Sequence, residues 1–309
     1  MANYNHSARP IVSPPSHEFA STLSSYLNFE MSFTGECATS GNIETTLNYA
    51  LLNPGGMRLY AKSSQTKSSG IHANYLVDPR RVIVRDIRGQ EHRFSLDRNR
   101  FEFVAHHTTE SFLETESIKK AYYAEMERLA GLVQLASTMW IDYIFRQSYE
   151  TSPEDMDEVP EDLAAHTVHA ERTMESVVEE VREHLGAEAG SLLSGRVRFI
   201  IVRRPIGNET HHEPLAVADW QTSSDESRLL PMRMHMSYGR LGTLLGRYSS
   251  AHSWYYLRHQ TPSEVMLIKG YDSHSGATKF CLYSSLKDLG CHAGAPRRRS
   301  IEINALVFG

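Results

Sequence analysis

The sequence predicts an α+β protein whose second half is a run of strands closing into a sandwich or barrel. Three observations carry this. Apolar residues recur at helical spacing in two stretches, 117–133 and 173–185. Six short β-branched or aromatic segments then follow, separated by polar turns. No βαβ unit of the nucleotide-binding kind occurs.

Residues 1–20, rich in Pro, Ser and His, read as a loosely ordered arm, which leaves 21–309 as a single domain. Gly and Ser/Lys clusters between 53 and 80 read as turns. In "RVIVRDIRGQEHRFSLD", Val82 and Val84 alternate with polar residues, Arg88-Gly89-Gln90 supplies a turn, and Phe94 and Leu96 resume the alternation. That pattern predicts a hairpin. Ser117 can cap a helix carrying Ile118, Tyr122, Met126, Leu129 and Val133 on one stripe. The acidic "SYETSPEDMDEVPED" reads as loop. Met174, Val177, Val178, Val181 and Leu185 define the second helix, and Gly186 stops it. The strands are expected at 197–206, 214–220, 253–257, 264–271, 279–286 and 300–308.

Composition narrows the function. A net charge of −5 offers no basic face for nucleic acid, and Arg297, Arg298 and Arg299 form too short a run to supply one. Cys37, Cys281 and Cys291 lack metal-ligand spacing, and no charged-then-apolar leader opens the chain, so a reduced, cytoplasmic protein is expected. No apolar run approaches the ~20 residues of a membrane span. The nucleophile elbow, the P-loop and the dinucleotide fingerprint are all missing, which removes support for hydrolases, kinases and dinucleotide enzymes.

A few residues can carry chemistry. In "TVHAERT", His169 and Glu171 stand two apart, so a strand would point both the same way. They fit two ligands of one metal ion or an acid/base pair. They equally fit a strand end before a helix, with Glu171 favouring the helix N-terminus. Alternation sends Arg203 and Arg204 to opposite faces, so one of them can grip a carboxylate inside. "SWYYL" reads as core, and the His252 before it as a structural His or an active-site base. One Arg of 297–299 can reach a bound carboxylate.

Several phrases, taken in order, resemble the fungal AsaB-type hydroxylase/desaturase family. They are "VRDIRGQEHRFSLDRNRFEFV", "SIKKAYYAEME", "RRPIGNETHHEPLAVAD", "HSWYYL", "PSEVMLIKGYDS" and "RRSIEINALVF". The resemblance runs from about residue 80 to the end. It implies a double-stranded β-helix (jelly-roll, cupin-like) core with flanking helices. It also implies an iron(II)/2-oxoglutarate mechanism, with a facial triad of two His and one Asp. His169 matches the first ligand and Glu171 replaces the Asp. Tyr283, in "CLYSSL", stands where the second His belongs, and Arg298 best matches the Arg that holds 2-oxoglutarate. Ile201 and Arg203 replace the family's Asn and Trp, while Arg204 and Pro205 are kept. The framework phrases survive and the departures gather at the pocket.

Glu for Asp moves the carboxylate by about 1.5 Å, one C–C bond. Loss of the second His weighs more, because Tyr coordinates well only as phenolate and starts from a pKa of about 10. His274 and His292, on either side of Tyr283, lie in turns and do not replace it without breaking register. The expected function is therefore a fungal secondary-metabolite enzyme that has lost its iron site and needs no cofactor. It would catalyse a cyclisation, isomerisation or dehydration by folding its substrate. Tyr283, His169 and Glu171 would be catalytic, with Arg203, Arg204, Arg298, His252 and Trp254 binding substrate. The alternatives are a working iron(II)/2-oxoglutarate hydroxylase/desaturase, with His169, Glu171 and Tyr283 as ligands, and a non-catalytic pseudo-oxygenase subunit. The expected partner is a small biosynthetic intermediate, and a homodimer is the default assembly.

Overall fold

In the computed structural model the described residues are 41–52, 57–62, 72–133, 137–147, 165–223, 225–236, 239–274, 280–286 and 294–309. The N-terminal arm, Cys37, Cys291, His292 and the whole of the acidic loop lie outside them.

Two sheets form the body, matching the expected α+β jelly roll. The larger has ten strands in the order β1-β4-β12-β9-β14-β7-β11-β10-β2-β3. In chain order these are β1 (Ile43–Leu51), β2 (Leu59–Lys62), β3 (His72–Ala73), β4 (Leu76–Asp86), β7 (His169–Ala170), β9 (Leu215–Ala218), β10 (Leu229–Met236), β11 (Gly239–Gly246), β12 (Trp254–Tyr256) and β14 (Tyr283–Ser285). The smaller sheet runs β5-β13-β8-β15-β6, from β5 (Phe101–Ala105), β6 (Ser137–Gln147), β8 (Val197–Pro205), β13 (Glu264–Asp272) and β15 (Arg299–Phe308).

The smaller sheet is buried on both faces, which explains its near-continuous apolar sequence. Phe199 and Ile201 of β8 join an inner cluster with Val217, Trp254 and Ile268, whereas Ile200 and Val202 pack outward. The outer cover is a turn at Thr115–Ser117, a π-helical stretch Ile118–Tyr122 and helix α1 (Tyr123–Val133). Ile118, Tyr122, Met126 and Leu129 are buried there, as the stripe predicts.

Helix α2 (Met174–Leu185) starts at Thr173, whose side chain accepts from the Ser176 N–H, and ends at Gly186, with φ at 48°. Val177 and Val181 face the inner core, but Met174 is exposed. The short helix α3 (Ala189–Leu193) follows. No described helix is long and apolar enough to cross a membrane.

The predicted hairpin does not form. Gly89 makes a turn at φ 81°, but the chain then enters a 3₁₀ turn at Glu91–Arg93, and Phe94 and Leu96 pack from coil. The return strand begins only at Phe101 and pairs with β13 in the other sheet. Arg88 explains the diversion. It bonds the Arg258 and His259 carbonyls and Glu264, which ties the turn to the crossover between β12 and β13.

Strands β10 and β11 escaped the sequence reading because they are rich in Met and Gly. The glycines of β11 are needed where it passes close under its neighbours. A Cβ on Gly246 would lie 2.7 Å from Val168 Cγ1 and 3.2 Å from Leu282. Gly246→Ala is therefore expected to destabilise the fold by about 1–3 kcal/mol, the cost of overpacking a filled site. Gly190→Ala on α3, whose added methyl meets open space, is expected to be neutral or stabilising by up to ~1 kcal/mol. Urea unfolding of both variants checks the contrast.

Candidate active site

Strands β7 and β14 are antiparallel neighbours, and His169 and Tyr283 are direct cross-strand partners. Their side chains therefore stand on the same face, with ring centroids 4.4 Å apart. Glu171, two residues beyond His169, turns to the same side. Its Oε2 lies 3.7 Å from His169 Nε2 and accepts a short hydrogen bond from the Tyr283 hydroxyl. The side chains of His169 and Glu171 are only 13% and 14% exposed. His169 Nδ1 bonds the Thr167 carbonyl at 2.7 Å, which fixes the ring with Nε2 towards the cavity. Alternation along "TVHAERT" thus delivers the pair that the spacing suggested.

Arg172 completes this corner. It is fully buried, bonds Glu171 Oε1 at 2.9 Å and Glu180 Oε1 at 2.8 Å, and lies over the Phe199 ring. Burial alone would raise the Glu171 carboxyl, but His169, Arg172 and Arg146 outweigh it and hold the group well below the usual carboxylate range. Burial and the adjacent Glu171 charge push the Tyr283 phenol well above its ordinary value. The pair is therefore a carboxylate accepting a hydrogen bond from an intact phenol.

The facing wall comes from the smaller sheet. Arg203 of β8 and Glu302 of β15 are register partners on the inner face, with Nε to Oε1 at 3.3 Å. Arg146 of β6 reaches the other Glu302 oxygen at 3.5 Å. Between the walls lies a cavity of about 10 Å³, lined among others by Arg146, His169, Glu171, Tyr283, Arg298 and Glu302. That is room for one water or ion. Arg298 is buried while Arg297 and Arg299 are exposed. It bonds Ser285 Oγ at 3.0 Å and the Glu213 carbonyl. Burial, then the Arg203 charge, lowers its guanidinium to about 9, which still leaves it a cation near neutrality.

Three expected substrate-binding residues lie elsewhere. Arg204 points to the outer face, where Tyr122 Oη, the carbonyls of His106 and Pro262 and the His106 ring take its N–H groups. Strand alternation, which brings Arg203 inward, sends it out. Trp254 and His252 form an aromatic cluster with Tyr49 instead of lining the cavity. The indole N–H donates to Tyr49 Oη at 2.8 Å, and that hydroxyl meets His252 Nδ1 at 3.2 Å. Burial lowers His252 to about 4, so it is a neutral structural histidine. His274 is exposed in a turn after β13. Arg146, Arg172, Glu213 and Glu302 were missed. An acid at position 302, the one charged residue of "SIEINALVF", was the available signal.

The model of the family described as Oxidoreductase/YMDC permease-like domain matches residues 47–308. The chain belongs to this family. It is 29% identical over 290 residues to the hydroxylase/desaturase efuI of Hormonema carpetanum, covering 87% of this chain and 96% of that protein. It is 28% identical over 261 residues to the Fe(II)/2-oxoglutarate-dependent dioxygenase nvfI of Aspergillus novofumigatus, covering 82% and 90%. A solved structure of the iron and alpha-ketoglutarate-dependent endoperoxidase NvfI superimposes with a TM-score of 0.76, at 24% identity over 88% of this chain and 99% of that one. The fold is thus the jelly roll of that oxygenase, and the resemblance to fungal hydroxylase/desaturases stands.

The expectation that no cofactor is needed is overturned. A relative matching most of the chain is named for iron(II) and 2-oxoglutarate. The described residues also contain a set of two His and one Glu able to hold a metal, Glu209, His211 and His259. The metal-free cyclase or isomerase reading has no support among the relatives.

Arg172→Met would leave two buried carboxylates short of a cation and is expected to cost about 3–5 kcal/mol. Because the folded Glu171 pKa is depressed, its contribution is present above the unfolded value of about 4.3 and is lost as pH falls through the folded value. The stability gap between wild type and variant should therefore be widest at neutral pH and narrow in acid, as denaturant melts at both pH values can show.

Proposed function

We propose that the protein is an iron(II)/2-oxoglutarate-dependent oxygenase acting on a small organic intermediate of fungal secondary metabolism. The observation that carries this reading is the convergence of His169 Nε2, the Glu171 carboxylate and the Tyr283 hydroxyl on one small cavity, with Arg298 on its wall.

The residues present fit a divalent cation. One imidazole nitrogen faces the cavity, one carboxylate is held anionic, and one phenol oxygen is already hydrogen-bonded to that carboxylate. Holding a cation with all three atoms would require Tyr283 to give up the proton it now directs at Glu171. His169, Glu171 and Tyr283 would hold the metal, so one phenol stands where the usual two-His-one-carboxylate face has its second imidazole. Iron(II), when bound with 2-oxoglutarate, would activate molecular oxygen, which is the oxidant of this enzyme class.

The protein's own groups do the rest. Arg172 keeps Glu171 ionised and aimed. The Thr167 carbonyl accepts from His169 Nδ1, which leaves Nε2 as the ring nitrogen available to a metal. Arg298 offers a guanidinium to an incoming carboxylate, which would reverse part of the penalty that burial imposes on it. A cavity of about 10 Å³ admits the ion but not 2-oxoglutarate, so the cosubstrate requires rim side chains to rearrange. The walls of two packed sheets exclude bulk water from the remaining space.

Anaerobic iron(II) titration of the purified protein, followed by oxidation to iron(III), tests the assignment. One bound iron with a visible phenolate-to-iron(III) band that disappears in Tyr283→Phe is expected. Tyr283→His restores two imidazoles and should bind iron(II) at least ~10-fold tighter, the scale on which even outer partners of metal ligands matter. His169→Ala should abolish binding at this cavity. If wild type binds no iron and Tyr283→His gains none, the reading is wrong.

A further inference from the structure

Two loops carry the chain from one sheet to the other at the same edge of the molecule. Residues 206–214 cross from β8 to β9, and 257–263 cross from β12 to β13. Backbone bonds lock them together, with the Thr210 N–H donating to the Gln260 carbonyl at 2.8 Å. From the first loop come Glu209 and His211, and from the second His259. Glu209 Oε1 lies 2.8 Å from His211 Nε2 and 3.7 Å from His259 Nδ1. The two imidazole centroids are 4.7 Å apart. One ligand atom from each residue falls within 4.8 Å of the others.

The geometry points to a second metal site, Glu209–His211–His259, for a divalent ion of the zinc type, outside the proposed catalytic cavity. Two imidazole nitrogens and one carboxylate oxygen are the donors that borderline cations prefer over magnesium or calcium, which favour all-oxygen sets. The site is open to water, with His259 55% and Glu209 41% exposed at the side chain, so solvent can complete the coordination.

The backbone behind the ligands is specialised. His259 has φ at 50°, in the left-handed region that side-chain-bearing residues seldom adopt. Its carbonyl is held at 3.2 Å by Arg88, which also grips the Arg258 carbonyl. That conformation aims the imidazole at the facing loop, so the donors are brought together before any ion arrives.

A metal at this point would pin the two crossovers and reach the candidate active site through the same loop. Glu213, two residues past His211, has its carboxylate 3.2 Å from His166 Nε2, and its carbonyl accepts from Arg298. The ion is thus a staple for the loop that positions Arg298. This assignment does not depend on the iron reading, since none of its ligands lines the inner cavity.

The test uses the full chain stripped with EDTA and titrated with zinc(II), then with cobalt(II) as a spectroscopic probe. The titration is run in His169→Ala, which removes the inner cavity's imidazole, and a cobalt d–d band and a zinc-induced rise in melting temperature are expected there. Both should be lost, with affinity reduced at least ~10-fold, when His211→Ala or His259→Asn is added to His169→Ala. Asn tolerates the left-handed backbone, so that variant keeps the loop folded. If adding His211→Ala or His259→Asn leaves the zinc binding of His169→Ala unchanged, or if His169→Ala binds none, the cluster is an ordinary surface ion pair and the proposal fails.

Discussion

The rest of the structure depends on one constraint, a five-stranded sheet that must bury both of its faces. Helix α1 covers the outside and the ten-stranded sheet covers the inside, so no side chain of β8 reaches water. Period-two alternation then decides the fate of every polar residue on these strands. Arg203 and Glu302, both on inward positions, become each other's partners across the register. Arg204, one residue later, is driven under α1, where Tyr122 and the His106 and Pro262 carbonyls satisfy it. A one-residue slip would exchange the two arginines and leave Glu302 facing apolar helix residues. Register and polar interior are therefore specified together.

Burying charge in such a place is costly unless every group is paired, and the candidate site is organised accordingly. Glu171 has Arg172 on one oxygen and Tyr283 on the other, and Glu302 divides its oxygens between Arg203 and Arg146. Arg298 is held by a hydroxyl and a carbonyl, and burial lowers its guanidinium to about 9. The Glu213 and Glu302 charges offset part of the effect of burial and of Arg203 on it.

The fold was legible wherever burial leaves a period. The two helical stripes and the six strands of the second half are seen in apolar spacing because their positions are set by which face is dry. Legibility fails where the backbone, not the side chain, carries the specification. The glycines of β11 are selected by the nearness of Val168 and Thr173, which no local pattern reports. Phe94 and Leu96 alternate like a strand, yet Arg88 ties the preceding turn to a distant crossover. At the site, His169, Glu171 and Tyr283 could be named from a motif and a resemblance. Arg172, Arg146 and Glu302 could not, since their roles arise only when β6, β7 and β15 face one another. Trp254 and His252 show the converse, residues of catalytic type placed by packing alone.

The substitution at 283 changes more than the number of nitrogens. An imidazole in that position would face Glu171 as a neutral donor or acceptor and leave the carboxylate free to accept a cation. A phenol commits its proton to Glu171, and burial raises the phenol further. Any divalent ion that uses all three atoms must therefore expel that proton, so binding and proton release are linked and affinity must rise with pH. Without the ion, the same hydrogen bond satisfies both groups and keeps the pocket closed to one water's volume. Tyr283 is in this sense both a potential ligand and the group that holds the empty site together, which a second histidine would not do. That dual role would reconcile an oxygenase fold with a triad that looks broken in the sequence.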